Sequence, residues 1–133
     1  MPDIRIKVPG TPETEYGITI GSGILPSLWQ QIKNAFGQYN RFVVTDERVV
    51  AAGHLNALLS GRPVPYFAIT PAGEVSKTID TVVAIVEAME KAYLGRDTVV
   101  IALGGGTVGD IAGFAAAIFK RGVPVVQIPT TTL

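Results

Sequence analysis

An α/β fold, with a mostly parallel sheet, helices on both faces and an N-terminal β-hairpin, is predicted for this 133-residue chain by three observations. Strand-like runs alternate with helical periodicity from residue 25 onward, the pattern that builds βαβ units. The run 99–103, Val-Val-Ile-Ala-Leu, is apolar throughout, as in a strand covered on both sides. It empties into clustered glycines and then into a further helical pattern. The length fits one ordinary domain with a real core.

Residues 4–8 and 16–20 read as strands around the turn-forming residues 9–12, Pro-Gly-Thr-Pro, and are expected to pair as a hairpin at one edge of the sheet. From Leu25 the apolar residues Leu25, Leu28, Trp29, Ile32 and Phe36 recur at helical spacing until Gly37 stops the pattern. Trp29 is therefore placed in a core or an interface. Residues 41–45 read as a short buried strand ending at Asp46, and residues 47–59 as a helical stretch followed by Gly61 and Pro63. Residues 64–69 give the next strand. A long amphipathic helix follows, starting close to Gly73 and Glu74, with Ile79, Val82, Val83, Val86, Met89 and Tyr93 on one stripe. Residues 98–103, 108–120 and 123–128 complete the series as strand, helix and strand. Such alternation implies a parallel sheet with right-handed crossovers.

Composition removes several function classes. The chain has 11 basic and 11 acidic residues, dispersed, so it carries no electrostatic footprint for nucleic acid or an anionic membrane. It has no cysteine, which excludes disulfides, thiolate metal sites and cysteine nucleophiles. The N-terminus lacks the features of a signal peptide, and no apolar run approaches the roughly 18 residues of a membrane span. A soluble, cytoplasmic protein is the expectation. His54, the one histidine, has no partner at ligand spacing and reads as structural or solvated.

The glycines carry the functional signal. Gly104, Gly106 and Gly109 fit G-x-G-x-x-G in the strand–turn–helix context that a dinucleotide reading requires. Without a Cβ the backbone can turn sharply and approach a ligand, and the helix that follows points free N–H groups and its positive dipole end at an anion. Two facts depart from an ordinary Rossmann fingerprint: the motif follows a late strand, and roughly 20 residues on stands Gln127 where an acid is usual. A Rossmann-like fold with non-standard wiring is expected; the alternative is a tight turn whose glycines serve packing alone. Ligands of open α/β sheets sit beyond the carboxyl ends of the strands. That rule selects Asp46, the Thr70 to Glu74 loop, the Gly104 to Asp110 loop and residues 130–132 as candidates for NAD.

The segments 104–110 (Gly-Gly-Gly-Thr-Val-Gly-Asp), 112–116 (Ala-Gly-Phe-Ala-Ala), 120–122 (Lys-Arg-Gly) and 127–131 (Gln-Ile-Pro-Thr-Thr) closely resemble the 3-dehydroquinate synthase family of the shikimate pathway, among the sugar-phosphate cyclases. The segment 71–77, Pro-Ala-Gly-Glu-Val-Ser-Lys, fits as well. The resemblance implies use of NAD and a divalent metal, zinc or cobalt, to convert 3-deoxy-D-arabino-heptulosonate 7-phosphate into 3-dehydroquinate with loss of phosphate. It implies a transient oxidation by NAD that acidifies the neighbouring C–H before elimination.

Carried over by residue, Gly73, Glu74 and Lys77 resemble adenosine-side contacts, with the carboxylate accepting from ribose hydroxyls. Blandly read, they form a helix N-terminus with a favourable acid and a surface pair three residues apart. Asp46 either touches the adenosine or caps the next helix. Gly105, Gly106, Thr107, Val108, Gly109 and Asp110 resemble the central NAD loop, with Asp110 near a ribose; alone, Asp110 is a first-turn acid. Thr130 and Thr131 match a pair that contacts cofactor, or else are helix caps. Arg121 resembles the arginine that reaches substrate phosphate in a neighbouring subunit's site, a task that suits its planar fork. Otherwise Lys120 and Arg121 are cations favoured at a helix C-terminus.

Ala72 stands where the family commonly has Asp, Thr107 where an apolar residue is usual, and Thr132 where Leu is frequent. Residues 1–133 are thus expected to be an N-terminal NAD-binding domain, without the family's catalytic lysine and its C-terminal helical domain bearing the metal ligands. By itself the chain is expected to bind NAD weakly, not to cyclise substrate, and to self-associate as a homo-oligomer, the parent being a dimer. The NAD half of a related cyclase or metal-dependent polyol dehydrogenase, and a non-enzymatic α/β assembly module, are the alternatives.

Overall fold

The computed structural model describes residues 3–7, 15–19 and 24–130. Strands β1 (Asp3–Lys7) and β2 (Glu15–Thr19) pair antiparallel, with Ile6 opposite Tyr16. The hairpin is there, one residue earlier in each strand than expected. It is not an edge of the main sheet: the two strands satisfy each other as a sheet of their own. The turn at 9–12 lies outside the described residues.

Helix α1 (Leu25–Phe36) starts with proline in its first turn and ends where Gly37 adopts a φ of 54°. It feeds β3 (Asn40–Asp46). The helical stretch expected over 47–59 is instead two short helices, α2 (Glu47–Ala51) and α3 (His54–Leu59). Gly53 breaks it at a φ of 87°, a left-handed conformation that glycine adopts without steric cost. After β4 (Tyr66–Ile69) come a 3₁₀ turn, Glu74–Ser76, and helix α4 (Ile79–Lys91). The expected start of this helix near Gly73 and Glu74 is corrected to Ile79. Thr78 caps it by accepting from the Thr81 N–H.

The stripe of α4 is also rotated from the expected one. Val82, Ile85 and Met89 face the core, whereas Ile79 is 65% and Val83 44% exposed. Tyr93 lies beyond the helix end at a φ of 57° and is almost wholly exposed. The run of apolar residues on α4 is wider than the face that packs, so periodicity alone left the register open. Strand β5 (Thr98–Gly104), helix α5 (Gly106–Ile118), a 3₁₀ turn (Phe119–Arg121) and β6 (Val125–Pro129) complete the order.

The four-stranded sheet is parallel throughout in the order β4-β3-β5-β6. Alternate side chains of its central strands serve two cores. Phe42, Val44, Val100 and Ala102 pack under α4 and α5, while Val43, Ile101 and Leu103 pack under α1, α2 and α3. Helices therefore cover both faces, as the buried β5 run requires. From β3 the chain moves to β4 on one side; from β5 it moves to β6 on the other. The strand order reverses between β3 and β5, which defines the switch point where α/β sheets open a crevice. No helix among the described residues is long and apolar enough to cross a membrane.

The burial of α4 gives a direct contrast. Ile85, fully buried, should lose about 2–5 kcal/mol of stability on Ile85→Ala. Val83→Ala, at a half-exposed helix position, should change stability by less than about 0.5 kcal/mol. Urea denaturation of the two variants checks the register of the helix.

Candidate functional site

Strand β5 ends at Gly104 on the carboxyl rim of the sheet and turns at once into α5. A Cβ on Gly104 would lie 2.7 Å from Val108 Cγ2, so only glycine lets the strand end and the first turn of α5 approach this closely. At Gly109 an added Cβ would meet Gln127 Oε1 at 2.6 Å, the tip of a flexible side chain on β6. Gln127 Nε2 in turn donates to the Gly109 carbonyl at 3.2 Å. The residue found in place of a ribose-binding acid is thus a packing partner of the glycine helix. Gly104 thus has a packing role of its own, whereas the contact at Gly109 is one a flexible side chain can relieve.

The start of α5 nevertheless has the anion-binding geometry. Its first backbone bond runs from the Gly109 N–H to the Gly105 carbonyl at 3.0 Å. The amides of Gly106, Thr107 and Val108 precede that bond and have no acceptor within the helix. No side chain caps them, since Gly105 stands at the N-cap position. Three amides and the positive end of the helix dipole therefore face the rim beside the switch point.

Opposite them lies the loop after β4. Glu47 Oε2 accepts from the Ala72 N–H at 2.9 Å, and the Ser76 hydroxyl donates to the Pro71 carbonyl at 2.5 Å. The first bond ties the loop to the start of α2, just past β3, and the second closes the loop on itself. Gly73, at a φ of 106°, then turns the chain so that Glu74 and Lys77 reach α5. The Thr107 hydroxyl donates to Glu74 Oε1 at 2.6 Å, and Lys77 Nζ donates to Asp110 Oδ2 at 2.8 Å. These form two rungs between residues 74–77 and the N-terminal part of α5; because the helix starts at Gly106, Asp110 falls beyond its first turn and is not the first-turn acid expected. Lys77 also stands 3.9 Å from Glu74 Oε2. An open groove of about 210 Å³, lined in part by Lys77, Ile79, Asp110 and Phe114, adjoins the rungs.

The structure thus gathers Gly73, Glu74, Lys77 and the 105–110 loop on one side of the rim. Asp46 ends β3 on the same rim, and its Oδ1 accepts from the Val49 N–H at 2.9 Å, so it caps α2. Thr130 follows β6 there, its N–H bonded to the Gly104 carbonyl at 3.1 Å. Thr131 and Thr132 lie outside the described residues. Arg121 is not brought to this rim. It lies past the far end of α5, a 13-residue helix about 20 Å long. Glu47 was not singled out by the sequence; its signal is the pair of acids after β3, of which the cap uses only the first. Among the described residues, no group of three or more His, Cys, Asp or Glu could hold a metal ion. His54 opens the short helix α3.

A parallel α/β sheet whose glycine-led helix opens at the switch point defines a Rossmann-like domain. The chain belongs to the family described as 3-dehydroquinate synthase N-terminal, whose model matches residues 67–133. A 3-dehydroquinate synthase from Caulobacter vibrioides is 39% identical over 98% of this chain and 36% of its own length. A crystal structure of 2-deoxy-scyllo-inosose synthase complexed with carbaglucose-6-phosphate, NAD+ and Co2+ superposes with a TM-score of 0.76 at 25% identity, over 97% of this chain and 35% of that one. A 2-epi-5-epi-valiolone synthase from Streptomyces hygroscopicus subsp. jinggangensis, with NAD+ and Zn2+ bound, gives 0.70 at 32% identity, over 95% and 35%. The chain spans about a third of the length of the curated relatives it matches.

The bond to Asp110, the Asp110 charge and then the Glu74 charge hold the Lys77 ammonium above its ordinary value of 10.5. A raised folded value stabilises at every pH below the unfolded value, and that contribution disappears as pH rises through the folded one. The stability difference between the wild type and Lys77→Met should therefore be flat from about pH 7 to about pH 10 and shrink above that. Denaturation midpoints of the two proteins across this range check it.

Proposed function

We propose that this chain is the NAD-binding half of a 3-dehydroquinate synthase, a phosphate-eliminating lyase that makes 3-dehydroquinate from 3-deoxy-D-arabino-heptulosonate 7-phosphate in the shikimate pathway, in the cytoplasm. The observation that carries this reading is the uncapped start of α5, with Asp110 one turn in, facing Glu74 and Lys77 across the switch point. The pyrophosphate takes the free amides of Gly106, Thr107 and Val108, where a diphosphate needs donors and no cation is required. Glu74, with Gly73 and Lys77 beside it, takes the adenosine ribose, and Asp110 and Thr130 line the remaining cofactor edge; a contact from Thr131 is assigned from the family resemblance alone. Asp46 acts at one remove, by fixing the helix that follows β3. When bound, NAD supplies a hydride acceptor that is restored within the turnover.

Support for this reading comes from relatives named 3-dehydroquinate synthase at about 40% identity over most of the chain. The divalent metal, zinc or cobalt, and the cyclisation chemistry are assigned to the portion of the longer relatives that this chain does not span. Arg121 is assigned to a second copy. It sits too far from its own glycine loop, and the apolar residues Phe114 and Ile118, each 50% exposed, lead toward it along α5. A copy seated on that face would cover the apolar stripe and receive the guanidinium at its substrate phosphate.

Titration calorimetry with NAD+ should show saturable one-site binding to the chain, weakened about tenfold by Glu74→Gln, which keeps the shape and removes the charge. Absence of binding to the wild type overturns the reading. Light scattering should show a dimer that Phe114→Glu dissociates; a wild type that stays monomeric at high concentration removes the assignment of Arg121.

A further inference from the structure

Helix α2 reaches the loop after β4 through one side chain. We infer that Glu47 is a positioning residue for cofactor binding: by accepting from the Ala72 N–H it places the turn at Gly73, and so delivers Glu74 to the rim. The inference rests on the proposed NAD reading of that rim and adds to it a residue that need not touch the ligand.

The bond lies where β3 and β4 end side by side. Asp46 is paired with Ile69 in the parallel register, and the chain leaves the two strands there, once into α2 and once into the loop that begins at Thr70. Asp46 caps α2 by accepting from the Val49 N–H, which sets the direction of the helix and so of the Glu47 side chain. Glu47 Oε2 then spans 25 residues of sequence to the Ala72 N–H at 2.9 Å. Arg48 approaches the same turn, but only in van der Waals contact: a Cβ on Gly73 would lie 3.9 Å from its Nη2.

The other bonds of the loop shape it without placing it. The Ser76 hydroxyl donates to the Pro71 carbonyl, and the Ser76 and Lys77 N–H groups donate to the carbonyls of Gly73 and Glu74, all within the loop. The rungs to Thr107 and Asp110 are made by exposed side chains, and contacts this open to water hold a backbone only weakly. Among the described residues, the bond to Glu47 is the one hydrogen bond that ties residues 71–73 to the β3 side of the site. Ala72 is buried, so its N–H has little water to turn to when the acceptor is removed. The backbone must then shift to satisfy that N–H, and Glu74, two residues on, shifts with it.

Titration of the chain with NAD+ tests this by the pattern across three substitutions, because the bond needs reach and an acceptor oxygen and not a charge. Glu47→Ala removes the acceptor and should weaken binding about tenfold. Glu47→Asp keeps the charge but falls one methylene short, and should weaken it about as much, whereas Glu47→Gln keeps length and oxygen and should stay within about twofold of the wild type. A second readout separates positioning from a purely structural role. In a Glu74→Gln background, Glu47→Ala should cost less than about threefold, since it acts through Glu74. Unchanged binding in Glu47→Ala, a loss in Glu47→Gln equal to that in Glu47→Ala, or full additivity with Glu74→Gln overturns the inference and leaves the NAD reading intact. A wild type that does not bind NAD+ overturns both.

Discussion

Strand β5 is buried at all seven of its positions, and covering it on both faces is the constraint from which the remaining organisation follows. Its odd and even side chains hold different helices: Val100 and Ala102 pack against α4 and α5, Ile101 and Leu103 against the helices of the other face. The buried Thr45 hydroxyl donates to the Leu103 carbonyl at 2.7 Å and fastens the end of β5 to β3. Gly104 then removes the last Cβ that could hold α5 away from the sheet. The start of α5 is thereby rigid, and its amides are aimed before any ligand arrives. Fixed donors of this kind bind an anion without the entropy of ordering a loop.

Much of this was legible from the residues. The all-apolar run at 99–103 can only be a strand covered twice, and the glycines after it can only be a sharp turn into a helix. The rim location of the candidate residues then follows from parallel topology without any knowledge of contacts. What remained illegible was set by tertiary choices. Gly53 sits in a pattern that reads as helical on either side, and nothing local shows that it turns left-handed. On α4 more apolar residues are present than the core uses, so the buried face could be chosen only by packing. The partnerships of Glu74 with Thr107 and of Lys77 with Asp110 each join residues 33 apart in the chain, beyond the reach of spacing rules. Asp46 shows the converse: its two readings, cap or ligand contact, rest on one carboxylate, and local geometry determined the first.

Formal neutrality conceals a division of charge along the strands. Asp46, Glu47, Glu74, Asp80 and Asp110 collect at the carboxyl rim, against Arg48 and Lys77. Arg41, Arg62, Lys91, Arg96, Lys120 and Arg121 collect at the amino rim, against Glu90 and Asp97. An anion at the acidic rim would gain nothing from the general field of the protein. It must be held by short-range donors, which is the task for which the free amides of α5 are suited.

The far end of α5 follows a different physical logic. Lys120, Arg121 and Gly122 have successive φ values of 48°, 70° and 109°, and for the first two residues a left-handed backbone costs on the order of 1–3 kcal/mol each. The pair between Lys120 and Glu90, at 3.1 Å and open to water, offsets little of that. The fully buried Phe119 ring and the bond from the Val123 N–H to the Ala116 carbonyl at 2.8 Å hold the turn instead. The turn reverses the chain immediately after a buried aromatic and leaves Arg121 exposed. A cation placed there complements the negative end of the helix dipole. The two ends of α5 thus divide the work: amides for an anion on its own rim, and a guanidinium presented away from it.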